Sequence, residues 1–152
     1  MALKPIKRHP ALQNLSREHH TVLIFELRLK KGIQKKVDLE RLNKYIDWFW
    51  NDYLLSHFQL EEKYLFTKFI QLPNTKLAIQ QHKDLKVLFE NKARDEASII
   101  QLYKDLEKHI RFEERVLFNE IQTIANEEEL REYATLHPSE KQCMLWNDAF
   151  WK

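Results

Sequence analysis

A single glycine, Gly32, stands in a chain of 152 residues, and only four prolines accompany it. This scarcity limits the possible folds more than any other feature. A sheet protein of this length reverses direction many times, and tight turns draw on glycine and proline for backbone angles that other residues reach only at a cost. The chain must therefore be built from a few long elements. Its apolar residues recur with the 3.6-residue helical period, and its length suffices for one domain with a real core.

Residues 1–14, spaced by Pro5 and Pro10, read as an irregular N-terminal segment. Ser16 is the expected N-cap of a first helix carrying Leu23, Ile24 and Leu27 and ending near Gly32. Asp38 is expected to cap a second helix, on which Leu42, Ile46, Phe49, Tyr53, Leu60 and Leu65 keep the period until Pro73 and Asn74 break it. A third helix is expected from Thr75 to Ala93, and a fourth from Asp95 or Glu96 to Ala125. Asn126, followed by three glutamates, marks a fresh N-cap, so a fifth helix should run to Leu136, where Pro138 stops it. The tail from Met144 through Trp146, Phe150 and Trp151 is too aromatic to be left in water and is expected to dock on the helices. The fold class that follows is all-α. An up-down-up-down four-helix bundle is expected over 15–125, with a C-terminal helix and aromatic tail, 126–152, packed on it.

The formal net charge of +2 is too mild to suggest a nucleic-acid or membrane surface as partner. One cysteine, Cys143, precludes an internal disulfide framework and fits a reducing compartment. The N-terminus lacks the apolar core of a signal peptide, and no apolar run approaches the ~20 residues of a membrane span. A cytoplasmic protein is the expectation.

The chemistry lies in an internal near-repeat. Residues 57–66 read His-Phe-Gln-Leu-Glu-Glu-Lys-Tyr-Leu-Phe, and residues 109–118 read His-Ile-Arg-Phe-Glu-Glu-Arg-Val-Leu-Phe. One copy falls on the second predicted helix and the other on the fourth. Residues four apart share a helix face, so His57 with Glu61, and His109 with Glu113, each present a nitrogen beside a carboxylate. The other two helices carry His19 and His20, and His82. Imidazole with carboxylate suits iron, zinc or manganese, and two carboxylates can bridge a pair of ions. Heights along the helices agree for His82 and His109, each roughly 18–20 Å from the turn between them at ~1.5 Å per residue. For His20 and His57 they differ by about 9 Å on the same rise.

Any one histidine on a helix is more often a surface or hydrogen-bonded residue than a ligand. The set is more specific. Leu15-Ser-Arg-Glu-His-His-Thr-Val-Leu23, His57-x-x-x-Glu61, His82 and His109-x-x-x-Glu113-Glu114 together resemble the hemerythrin-like (HHE) cation-binding domain over roughly residues 12–125. The resemblance implies a four-helix bundle around a carboxylate-bridged di-iron centre, two iron ions in all. It would be held by His57, Glu61, His82, His109, Glu113 and one helix-one histidine. His20 is the expected choice, because it shares a face with Leu23, Ile24 and Leu27, leaving His19 a supporting role. The implied partner is a small ligand such as dioxygen, nitric oxide or peroxide, and no protein partner is indicated.

One departure bears on function. Oxygen-carrying hemerythrins resemble His-x-x-x-His on helix three, with a helix-four acid five residues after its histidine. Here Lys86 follows His82 by four, and Glu113 follows His109 by four. Fewer protein ligands leave more open coordination positions, which favours reactivity or exchange over oxygen transport. Lys86 is expected to face the cluster, where it would meet a bound anion.

A ferritin-like site uses Glu-x-x-His, which no histidine here satisfies. The His-Glu-x-x-His signature of zinc hydrolases and paired cysteines are both absent. Two alternatives remain: a metal-free helical interaction module, and an iron-handling or stress protein without ligand chemistry. His9 and His137, beside prolines, read as surface residues.

Overall fold

The computed structural model describes residues 7–136 and 145–152, and every regular element among them is helical. The first helix, α1 (Gln13–Gln34), starts earlier than Ser16, behind a 3₁₀ turn at Pro10–Leu12. His9 caps that turn by accepting from the Ala11 N–H at 3.0 Å, and its other nitrogen lies 3.1 Å from Glu127. Ser16 sits inside α1 and is no cap. Its hydroxyl instead reaches Glu114 at 3.1 Å.

Gly32 does not end α1 either. The helix closes with paired bonds from Val37 N–H to the Gly32 carbonyl (3.0 Å) and from Lys36 N–H to Ile33 (3.1 Å), the pattern of a Schellman cap. Lys36, at φ 56°, takes the left-handed position usually given to glycine. What Gly32 provides is space. A Cβ there would lie 2.5 Å from Leu42 Cδ2 and 2.9 Å from Phe150 Cε1. Gly32→Ala should therefore cost up to about 2 kcal/mol, since overpacking of ~1–3 is set against a helix-propensity gain of ~1. Thermal melts and tryptophan emission, which reports tail displacement through Trp146 and Trp151, check this. An unchanged melt would mean that the tail yields freely.

The second helical stretch, 39–69, has no break: α2 (Leu39–Phe49), a π turn (Trp50–Leu54), α3 (Leu55–Leu60), a second π turn (Glu61–Leu65) and a 3₁₀ turn (Phe66–Phe69). Asp38 occupies the N-cap position, though its side chain makes no capping bond. Pro73 does not interrupt a helix. It opens α4 (Pro73–Glu90) at the first helical position, where a missing N–H costs nothing. α4 stops short of Ala93, and the loop after it is held by buried Arg94, which donates to Asn43, Asp47 and the Phe89 carbonyl. Asp95 caps α5 (Glu96–Phe112) by accepting from the Ser98 N–H at 2.8 Å. A π turn (Glu113–Leu117) and α6 (Phe118–Ile124) continue it. α7 (Glu127–Leu136) begins with a reciprocal capping box between Asn126 and Glu129. Pro138, His137, Cys143 and Met144 lie outside the described residues.

α1 packs on α2 and α5, and α4 packs on α2 and α5. The core has two apolar layers. One is aromatic, with Phe25 stacked on Phe49 at 4.0 Å and Trp50 on Phe89 at 4.9 Å. The other gathers Leu12, Leu65, Phe66, Phe118 and Tyr133, so α7 covers that end. The described part of the tail lies on the outside of the aromatic layer. Phe150 is buried 5.1 Å from Tyr45, Trp146 meets Trp48 at 5.0 Å, and Asp148 pairs with Arg41 at 2.7 Å. No described helix is long and apolar enough to cross a membrane.

Between α1 and α5 lies a titratable pair outside the apolar layers. Burial pushes the Glu26 carboxyl up to about 8, helped by its hydrogen bond to Glu107. Glu107 is lowered by that same bond and by Arg111. The folded state thus holds a proton that the unfolded chain releases near pH 4.5, so this pair's contribution is fully present below that pH. It is lost as pH rises through about 8. Glu26→Gln keeps a neutral donor and should abolish that loss. Denaturation midpoints at pH 5 and pH 9 should show the variant level with wild type at pH 5 and more stable at pH 9. No difference at pH 9 would refute the shared proton.

Candidate metal centre

A polar layer is buried between the two apolar ones. His19, His57, Glu61, His82, His109 and Glu113 are each at most 3 % exposed. His19 comes from α1, His57 from α3, His82 from α4 and His109 from α5. Glu61 and Glu113 are the first residues of the two matching π turns. The near-repeat in sequence is thus also a repeat in backbone. Each π turn widens the helix where the repeat carries two adjacent glutamates, a departure common at functional sites.

The structure corrects the helix-one expectation. His20 is exposed, and His19 is the histidine that joins the cluster. The buried face of α1 is Leu15, Glu18, His19, Val22, Phe25, Glu26 and Leu29. Three of these are polar, so a count of apolar neighbours selects the other face, where Leu27 is 52 % exposed. Lys86 is exposed as well and does not face the cluster. Of the apolar residues beside the cluster, Leu117 is buried, while Leu60 and Phe112 are only partly covered.

The geometry is that of converging donors. His19 Nε2 lies 3.0 Å from Glu113 Oε1 and 3.6 Å from Glu61 Oε2. His57 Nε2 lies 3.2 Å from Glu61 Oε1. His82 Nε2 is 3.4 Å from Glu61 Oε1 and 3.5 Å from Glu113 Oε2, and His109 Nε2 is 3.4 Å from Glu113 Oε2. Yet none of these four nitrogens or four oxygens makes a hydrogen bond. Unsatisfied buried polar atoms are costly, ~1–3 kcal/mol each, so a cluster of them requires an explanation. Two donors held ~2.1 Å from a common ion and about 90° apart lie ~3.0 Å from each other, close to the separations here. Two groups satisfy the requirement, His19 with His57 and His82 with His109, and both share Glu61 and Glu113. Within each group the donor atoms lie within 4.8 Å of one another. The donor set is of a kind that can hold metal ions.

Each imidazole is also held from behind. Nδ1 of His19 pairs with Glu114 (3.0 Å), that of His57 with Glu18 (2.7 Å), that of His82 with Glu62 (2.9 Å) and that of His109 with Gln81 (2.6 Å). These contacts leave Nε2 free to face the centre, the arrangement that second-shell acceptors impose on metal-binding histidines. Arg8 secures Glu114 at 3.0 Å. Phe58 stacks on His82 at 3.8 Å and Phe118 on His19 at 5.4 Å. These supports follow a regular pattern in the sequence. Glu62 is the second glutamate of its repeat copy, as Glu114 is of the other, and Glu18 and Gln81 each precede a cluster histidine. That regularity was a usable signal.

Charge follows from the packing. Burial lowers the basicity of His19 and His82, but the surrounding glutamates, Glu113 foremost, outweigh it and raise both well above the usual range. His57 is raised too, because Glu61 and Glu18 outweigh burial. His109 is lowered: there burial wins. Burial works against the ionised forms of Glu61 and Glu113, yet the histidines hold both carboxylates below their ordinary range. Metal uptake by such a site displaces protons.

Comparison with curated proteins and with solved structures returned no match. A family model does match, described as the hemerythrin HHE cation-binding domain, over residues 11–121. That span takes in all six clustered residues, and the chain belongs to the hemerythrin HHE cation-binding domain family.

Proposed function

We propose that the chain is a non-haem di-iron protein of the hemerythrin-like kind, working in the cytoplasm on a small ligand such as dioxygen, nitric oxide or peroxide. The frame is an up-down-up-down four-helix bundle over 15–125. The observation that carries the reading is the sharing of Glu61 and Glu113 by two histidine pairs. One ion would be held by His19 and His57, the other by His82 and His109, with the two glutamates bridging. Bound iron supplies open coordination positions and redox chemistry to the small ligand. The chain's own residues fix the imidazoles through Glu114, Glu18, Glu62 and Gln81. Phe58, Phe66, Phe118 and Leu117, each at most 2 % exposed, exclude water from the layer. A metal-free interaction module offers no comparable account of four imidazoles converging on two shared, buried carboxylates.

The test is the metal content and visible spectrum of protein purified from iron-supplemented cells, before and after reduction and exposure to air. About two irons per chain are expected, with charge-transfer absorption lost in His57→Ala and His109→Ala. Folded protein that neither carries nor takes up iron would overturn the di-iron reading.

A further inference from the structure

The four helices repeat the same arrangement twice, with one substitution between the halves. Glu18-His19 on α1 corresponds to Gln81-His82 on α4, and His57 with Glu61-Glu62 corresponds to His109 with Glu113-Glu114. The support for His19 and for His82 is a carboxylate in both halves, Glu114 and Glu62. The support for the other pair differs. His57 Nδ1 meets the carboxylate of Glu18, whose side chain is wholly buried, at 2.7 Å. His109 Nδ1 meets the amide oxygen of Gln81 at 2.6 Å.

We infer that this Glu18/Gln81 difference makes the two metal positions unequal: the His19/His57 position fills first, and the His82/His109 position is the weaker, exchangeable one. The inference rests on the di-iron reading above and deepens it. A carboxylate accepting the Nδ1–H raises the electron density at Nε2 and strengthens it as a ligand, whereas a neutral amide does so far less. A second observation points the same way. A cavity of about 180 Å³ lined by Gln81, Asp84, Leu85, Asp105, Lys108 and His109 lies behind the His109 imidazole. The cavity brings solvent to the Gln81–His109 pair, so this position is less shielded from behind. Gln81 thus acts as a positioning residue through His109.

The experiment loads metal-free protein with one equivalent of ferrous iron under argon and locates it by anomalous scattering in crystals. Negative cooperativity in a symmetric site would populate both positions equally, so occupancy resolves what a binding curve cannot. A preference of about tenfold or more for the His19/His57 position is expected, the scale on which second-shell changes alter affinity. Exchanging the pair, Glu18→Gln with Gln81→Glu, should move that preference to the His82/His109 position. Gln81→Glu alone should bring the two occupancies close together. Equal occupancy in wild type, preference for the second position, or a preference unmoved by Gln81→Glu would each overturn the inference. If wild-type protein bound no iron at all, the di-iron reading itself would fall, a result distinct from two irons bound equally.

Discussion

Stripping metal from the protein with a chelator should lower its melting temperature by about 10–20 °C. Each ion bound to the folded state alone stabilises by ~2.7 kcal/mol at a free concentration a hundred times its dissociation constant, so two contribute about 5. In a chain of this size each kcal/mol moves the midpoint by ~2–4 °C. The structural ground is the buried layer: four imidazole nitrogens and four carboxylate oxygens without hydrogen bonds, at zero to a few per cent exposure. Replacing Glu61 and Glu113 together by alanine should abolish the chelator's effect, because the shared ligands are gone. Scanning calorimetry with and without chelator decides it. A midpoint indifferent to chelator in wild type would show that the layer is stable without an ion.

The second large effect separates two neighbours in the chain. On the proposed di-iron reading, His19→Ala should reduce bound iron from about two to at most one per chain and remove that ion's ~2.7 kcal/mol of stabilisation. His20→Ala, at an exposed position, should leave iron content unchanged and stability within ~0.5 kcal/mol. Metal analysis and melts on the two variants check both halves of the statement. The reverse result would return helix one to the reading that apolar periodicity favoured.

That reading failed for a physical reason. Hydrophobic counting locates the core face of a helix by assuming that buried means apolar. α1 breaks the assumption because Glu18, His19 and Glu26 all lie on its buried face. The height mismatch of about 9 Å between His20 and His57 came more from ending the first helix at Gly32 than from the choice of histidine, which shifts the height by one residue, ~1.5 Å. α1 continues to Gln34, so 15 residues separate it from His19, against 18 from Leu39 to His57. The difference falls to about 4–5 Å at ~1.5 Å per residue. The π turn at Trp50–Leu54 absorbs part of the rest, since it takes in an extra residue for little added rise. Gly32 and Pro73 depart from the breaker role that local propensity gives these residue types. Gly32 serves close packing with Leu42 and Phe150, and Pro73 starts a helix.

The sequence by itself determined the helical class, the family and five of the six residues brought together in the buried layer. These rest on local rules: a period of 3.6, a scarcity of glycine, and a His-x-x-x-Glu spacing that any α-helix turns into a shared face. Tertiary structure alone decided which helix-one histidine points inward, that Lys86 points out, and which acceptor stands behind each imidazole. Those outcomes depend on the rotation of each helix about its axis and on partners as many as 95 residues away, as with His19 and Glu114. No local propensity carries that information, because packing against the neighbouring helices sets the rotation.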